Sequence, residues 1–228
     1  MTNNELKERR FVIGDIHGCF KTFNHLLFNK LKINKNDKIY LLGDYIDRGP
    51  KSKEVVDLII KLQNDDYKLF PIRGNHEEML LYSLQSYEYF EMWLQNGAIH
   101  TLNSFNINHT IELDYKYLEF FAGLPYYYEL NDFIIVHAGL NFEIDDPFTD
   151  LNAMVWQRNP YIDLNKTKGK RLIVGHTPVP LEIIKASLDI GKIYLDGGCV
   201  YAGRHEGLGW LVALELDSFK IYSVYKMD

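Results

Sequence analysis

Cysteine is scarce in this chain of 228 residues: there are two, Cys19 and Cys199, and neither stands in a paired or metal-type spacing. A disulfide framework and a thiolate metal site are thereby excluded, and two reduced thiols in a cytosolic protein are the expectation. Long hydrophobic runs are missing as well. Residues 1–10 are polar and mixed in charge, without the apolar centre of a secretory signal. No apolar stretch approaches the roughly 20 residues that would span a bilayer. An excess of basic charge is also absent, since 25 Lys and Arg face 31 Asp and Glu, giving a net charge of -6 and a pI near 5.8. Surface binding of nucleic acid calls for a basic stripe, so neither a nucleic-acid nor a membrane partner is expected, and the chain reads as soluble and cytoplasmic. Bound divalent cations would still attract an anionic substrate locally.

What is present is a core. Hydrophobic residues make up 46% of the chain and aromatics 14%, which rules out disorder. The length suits one domain, residues 1–228. Its first third repeats strand, glycine-bearing loop, helix. Arg10-Phe11-Val12-Ile13 runs into Gly14-Asp15, and residues 20–31 then place Phe20, Phe23, Leu26 and Leu27 at helical spacing. Lys38-Ile39-Tyr40-Leu41-Leu42 runs into Gly43-Asp44. Ser52 reads as an N-cap before a helix bearing Val55, Val56, Ile59 and Leu62. Residues 67–72 form a third strand ending at Gly74-Asn75. This alternation predicts βαβ units and a parallel sheet covered by helices. A helical insert at about 77–123 is rich in aromatics. Beyond it, Asn131-Asp132 reads as a hairpin turn, residues 172–174 and 193–195 as short buried strands, and 211–216 with 220–225 as a closing hairpin.

Five segments share one design, an apolar strand followed at once by a metal-ligand side chain, usually beside glycine. They are Gly14-Asp15-Ile16-His17-Gly18, Gly43-Asp44-Tyr45-Ile46-Asp47-Arg48-Gly49, Gly74-Asn75-His76-Glu77, His137-Ala138-Gly139 and Gly175-His176-Thr177-Pro178. One such segment is an ordinary turn. Five, each at a predicted strand end where open α/β sheets bind ligands, point to a single site.

The set resembles the phosphoprotein phosphatase family of metallophosphoesterases, over residues 11–216, and within it the bacterial and bacteriophage lambda-phosphatase type. Arg48-Gly49-Pro50 followed by Ser52, His137-Ala138-Gly139, Val155-Trp156-Gln157-Arg158 and Gly175-His176-Thr177-Pro178 carry that narrower likeness. The resemblance implies a calcineurin-like α/β fold, a central β-sandwich flanked by helices (αββα). It also implies two metal ions. Asp15 and His17 would hold the first, Asp44 would bridge, and Asn75, His137 and His176 would complete the second. Carboxylate, amide and imidazole donors suit Mn²⁺, with Fe or Zn²⁺ as alternatives. A metal-bridging hydroxide would attack phosphorus in line, so no cysteine nucleophile is required. His76 would protonate the leaving oxygen, oriented by Asp47, while Arg48, Arg158 and Asn75 would contact the phosphate.

Other residues receive plainer expectations. Arg73 pairs with an acid to fix its loop, and Glu77 is a supporting carboxylate. His25, His100, His109 and His205 are surface or core histidines, Tyr201 lines the site, residues 143–150 form a solvated acidic loop, and the aromatics of the insert are core. The implied activity is a serine/threonine, or dual-specificity, protein phosphatase. The rivals are a symmetrical dinucleoside tetraphosphate hydrolase and a non-catalytic binding module. The partner is a phosphorylated protein or small phosphoester; a monomer is plausible, and the sequence leaves the oligomeric state open.

Overall fold

The computed structural model describes residues 8–228; the polar stretch 1–7 lies outside them. The first apolar run forms β1 (Arg10–Ile13), followed by α1 (Phe20–His25), which widens into a π-helical turn over Leu26–Leu31. Next come β2 (Lys38–Leu41), α2 (Ser52–Asn64) and β3 (Lys68–Pro71). β1 pairs with β2 and β2 with β3, both in parallel, as the alternation predicts. The sheet does not stay parallel. β9 (Trp210–Glu215) adds antiparallel to the other side of β1, β10 (Lys220–Tyr225) closes the hairpin, and β8 (Asp196–Gly197) also pairs with β9.

A second sheet runs in the order β4 (Tyr127–Glu129), β5 (Phe133–Val136), β6 (Arg171–Val174), β7 (Lys192–Tyr194). Only β4 is antiparallel, through the hairpin at Asn131-Asp132.

Period-two alternation decides the layers. Val12, Tyr40, Leu42, Val212 and Leu214 of the first sheet face Phe133, Ile135, Ile173 and Ile193 of the second, making the inner core. Their neighbours Phe11, Ile13, Ile39, Leu41, Leu211 and Ala213 point outward, under the buried stripe Val55, Val56, Ile59 and Leu62 of α2. Ile134, Val136, Leu172 and Val174 form the outer face of the second sheet, covered by Met154 of α7 (Leu151–Trp156). Each fully buried aliphatic side chain of this kind contributes roughly 1.5–3 kcal/mol. The result is a two-sheet sandwich flanked by helices. α8 (Leu181–Ser187) joins β6 to β7.

The helical insert begins earlier than the sequence reading had it. α3 (Asn75–Tyr82) starts on Asn75 itself, so His76 is helical, and α4 (Tyr87–Trp93), α5 (Ile99–Phe105) and α6 (Tyr115–Ala122) follow. Two further details differ from expectation. Ser52 is the first helical residue rather than the cap, and its Oγ accepts from the Asp47 N–H at 3.2 Å. The two cysteines, distant in sequence, meet in the interior: contact with the Cys19 thiol, together with burial, pushes the Cys199 thiol well above its ordinary value.

Candidate metal centre

The five glycine-bearing segments leave the carboxyl ends of β1, β2, β3, β5 and β6 and converge at one edge of the sandwich. Sharp turns are needed to bring them together. His17, Asp44, Asp47, Arg48 and His176 all have positive φ, between 45° and 69°, a left-handed conformation unusual for residues with side chains. Such strain clusters at functional sites. Gly175 shows how close the approach is: a Cβ there would lie 2.0 Å from Asp15 Oδ1.

Asp44 is the hub. Its Oδ2 lies 3.5 Å from His17 Nε2 and 3.9 Å from His76 Nε2, while its Oδ1 lies 3.5 Å from His137 Nε2. The ligand-type atoms of His17, Asp44 and His76 fall within 4.8 Å of one another, as do those of Asp44, His137 and His176. One carboxylate therefore belongs to two trios. Asn75 completes the second side, its Oδ1 lying 3.0 Å from His137 Nε2 and 2.9 Å from His176 Nδ1. All of these residues are buried. The first trio contains His76 where the sequence reading put Asp15. Asp15 is in neither trio; its Oδ2 accepts from the His176 N–H at 2.9 Å and its Oδ1 has no partner.

The donor set fits divalent cations. His17 Nδ1 lies 2.8 Å from the Ile46 carbonyl and His137 Nδ1 2.7 Å from that of Leu42. Carbonyls only accept, so each Nδ1 carries the proton and each Nε2 is left with a lone pair aimed at Asp44. Burial pushes His17 well below the ordinary imidazole range, lowers His137, and takes His176 down to about 3, so all three rings are neutral as ligands must be. Lone pairs on His137 and on the Asn75 oxygen face each other with no proton between them, an arrangement that a cation would relieve. Burial would raise Asp44, yet the surrounding imidazoles hold it below the usual carboxylate range. Burial, with Asp196 and Asp44 nearby, drives Asp15 well above that range. Asp196 itself is pushed up to about 7 by burial and by Asp44, although its Oδ1 accepts from the Gly198 N–H at 2.8 Å.

His76 differs from the other rings. Burial opposes its charge, but Asp44 and Asp47 outweigh burial and raise it. Its Nδ1 is 2.6 Å from Asp47 Oδ2, and its buried Nε2 makes no hydrogen bond. Asp47 is itself held from the insert: Trp93 Nε1–H donates to Oδ2 at 2.7 Å and Thr101 Oγ1–H to Oδ1 at 2.6 Å. Glu77 caps the first turn of α3 and accepts backbone N–H groups of Asp44, Tyr45 and Gly74 at 2.8, 2.8 and 3.0 Å, tying the β2 and β3 loops together. Arg73 pairs with Glu78 at 2.8 Å and reaches the carbonyls of Phe121 and Ala122.

Arg48 Nη1 lies 2.8 Å from His17 Nε2, at the first trio. Arg158 is exposed and more peripheral, touching Thr177 Oγ1 at 3.4 Å beside His176. Trp93, Thr101 and Asp196 escaped the sequence reading. Their only signals were an aromatic and a threonine within a helical insert, and an acid in a glycine turn.

A family model described as "Calcineurin-like phosphoesterase" matches residues 9–218. The chain belongs to that family. It is a metallophosphoesterase, a hydrolase whose family uses a dinuclear metal centre, and the two His/Asp trios are groups that could hold it. Serine/threonine-protein phosphatase 1 of Salmonella typhimurium is 28% identical over 211 residues, covering 85% of this chain and 88% of that one. An asymmetrical bis(5'-nucleosyl)-tetraphosphatase, PrpE of Oceanobacillus iheyensis, is 24% identical over 217 residues, 85% of each. A symmetrical bis(5'-nucleosyl)-tetraphosphatase of Wigglesworthia glossinidia brevipalpis is 46% identical, but over 72 residues, and the match spans 25% of that relative's length. Among solved structures, the cold-active protein-tyrosine phosphatase of a Shewanella species superposes with a TM-score of 0.66 at 15% identity, covering 94% of this metallophosphoesterase and 80% of the other chain; that likeness speaks for the fold alone.

Proposed function

We propose that this metallophosphoesterase hydrolyses phosphomonoesters at a site where Asp15, His17 and Asp44 hold one metal ion and Asp44, Asn75, His137 and His176 the other. The observation that carries this reading is the double role of Asp44, whose two oxygens face separate histidine groups. Bound there, two divalent cations, Mn²⁺ by preference, supply Lewis acidity that activates water and neutralises phosphoryl oxygens. The chain does the rest. His76 holds a proton at Nε2 for the leaving oxygen, because Asp47 fixes the opposite ring nitrogen. Arg48 and Arg158 offer guanidinium donors to the non-bridging oxygens, and Asn75 faces the same space.

Phosphorylated serine and threonine side chains of proteins are the first substrate reading, in the manner of the lambda-phosphatase type and with a cytoplasmic setting. The Salmonella phosphatase, similar over most of both chains, supports it. A dinucleoside tetraphosphate is the second. The Oceanobacillus relative supports it, as does an arginine-lined cavity beside Arg48. A non-catalytic binding role is disfavoured, since every ligand position and the proton donor are filled.

The test is turnover of an aryl phosphate, phosphopeptides and diadenosine tetraphosphate by the Mn²⁺-loaded protein, with Asp44→Asn and His76→Asn as controls. Metal-dependent hydrolysis that collapses in both variants is expected. Full activity in Asp44→Asn would overturn the metal assignment, and hydrolysis of the dinucleotide alone would overturn the phosphoprotein reading.

A further inference from the structure

Against the metal centre, on the Arg48 side, lies a cavity of about 270 Å³. Its wall joins three stretches remote in sequence: Arg48 from the loop after β2, Gln95, Asn96 and His100 from the turn between α4 and α5 and the start of α5, and Tyr201 and Arg204 from the loop after β8. The chemistry of that wall is one-sided. It offers two guanidiniums, an imidazole, two carboxamides and a phenol, and no carboxylate. Arg9, Arg10 and Arg73 each pair with an acid, whereas among the described residues neither Arg48 nor Arg204 does. A pocket that gathers two guanidiniums, neither in an ion pair among the described residues, beside an imidazole and with no carboxylate in its wall, suits an anion.

Arg48 belongs to both spaces. Its Nη1 touches the ligand atom of His17, and its guanidinium carbon lies 5.7 Å from the centre of the Tyr201 ring. Its backbone is pinned, with N–H donating to the Gly97 carbonyl at 3.2 Å and with no space for a side chain at Gly97: a Cβ there would meet Arg48 Cγ at 2.8 Å. A group in the cavity is therefore separated from the reacting phosphate by one guanidinium.

We propose that the cavity binds a second phosphoryl group of the substrate, one or two anhydride links from the scissile phosphorus, with Arg204 and His100 as its recognition residues and Arg48 contacting both groups. The proposal rests on the hydrolase reading above and favours its second substrate class. Donors approach from three separate chain segments, which suits a tetrahedral group with several free oxygens better than a planar carboxylate. The class of substrate selected is a nucleotide carrying linked phosphates. His100, which the sequence alone marks as a surface or core histidine, gains a role because the insert folds back over Arg48.

The experiment compares Mn²⁺-loaded wild type, Arg204→Ala, His100→Ala and Arg204→Lys on diadenosine tetraphosphate, p-nitrophenyl phosphate, and a phosphoserine peptide flanked by aspartates. Binding of inorganic pyrophosphate and of orthophosphate is measured by calorimetry alongside. The expected result is a fall of about tenfold in the ratio of kcat/KM for the dinucleotide to that for the aryl phosphate in each alanine variant, with partial recovery in Arg204→Lys. Pyrophosphate affinity should drop about tenfold in Arg204→Ala, and orthophosphate affinity by less. An unchanged ratio with unchanged pyrophosphate affinity overturns the proposal. So does a selective loss on the acidic phosphopeptide alone, which would make the cavity a reader of peptide carboxylates. If wild type turns over none of the three, the hydrolase reading fails, and pyrophosphate binding by wild type against Arg204→Ala still decides the cavity's role.

Discussion

Asp47 Oδ2 lies 2.6 Å from His76 Nδ1, and both side chains are fully buried. A carboxylate so placed fixes the ring and leaves Nε2 to face Asp44. Asp47→Asn keeps the shape but can no longer stabilise a charged imidazole. We expect kcat to fall by about 10²-fold or more with KM changed far less, since positioned proton transfer contributes on the order of 10²–10⁴. Steady-state kinetics on an aryl phosphate, with circular dichroism to check folding, tests this; a variant with unaltered kcat would remove His76 and Asp47 from the reaction.

Trp93 supplies a second contact to the same Asp47 oxygen, from the insert. Trp93→Phe retains most of the buried ring and deletes the N–H donor. Loss of a hydrogen bond to a buried charge costs about 1.5–3 kcal/mol. Urea denaturation should show a loss of that order, and kcat should decline with it. A variant equally stable and active would mean that the insert packs against the site without tuning it.

Asp44 serves both trios, so its amide should impair both metal sites together. Elemental analysis after desalting should find about two Mn²⁺ per wild-type chain. Asp44→Asn should retain fewer, and His137→Ala should lose chiefly the second. At 100 times its Kd a bound ion stabilises the fold by about 2.7 kcal/mol. Thermal melts should therefore rise with Mn²⁺ in wild type and stay nearly flat in Asp44→Asn. Equal metal content in the two proteins would contradict a bridging role.

Lys192 sits almost fully buried on β7, its Nζ donating to the Asn159 carbonyl at 2.8 Å and to the Ala138 carbonyl at 3.5 Å. Burial pushes it down from 10.5 to about 8. Between about pH 8 and 10.5 the unfolded chain binds a proton that the folded chain has released, so this residue makes stability rise with pH across that window. Below pH 8 both states are protonated and its contribution is constant. The stability difference between wild type and Lys192→Met should shift in favour of wild type by on the order of 3 kcal/mol from pH 8 to 10.5. Urea titrations at several pH values measure it; a difference independent of pH would show that the amine stays charged.

Much of the architecture was legible along the chain. The runs that became β1, β2 and β3 announced themselves by length and by the glycine that ends each, and α2 by its apolar stripe. The hairpins at Asn131-Asp132 and after β9 followed from turn chemistry. Antiparallel addition of β9 to β1 was not legible, because a strand's partner is chosen by packing across the whole sheet. Ser52 misled for a related reason: the N-cap pattern is local, and the Oγ is instead taken up by the Asp47 loop and by Thr101.

The candidate site divides in the same way. Residue types and spacing along the chain determined that Asp15, His17, Asp44, Asn75, His137 and His176 would stand at strand ends, because strand termination and glycine turns depend on near neighbours. The tertiary structure decided which oxygen of Asp44 meets which histidine, that His76 comes close to Asp44 beside His17, and that Trp93 and Thr101 hold Asp47. It also carried His100 and Arg204 to one cavity at Arg48. Those relationships join segments far apart in sequence, and such contacts exist only once two sheets and the helical insert have packed against one another.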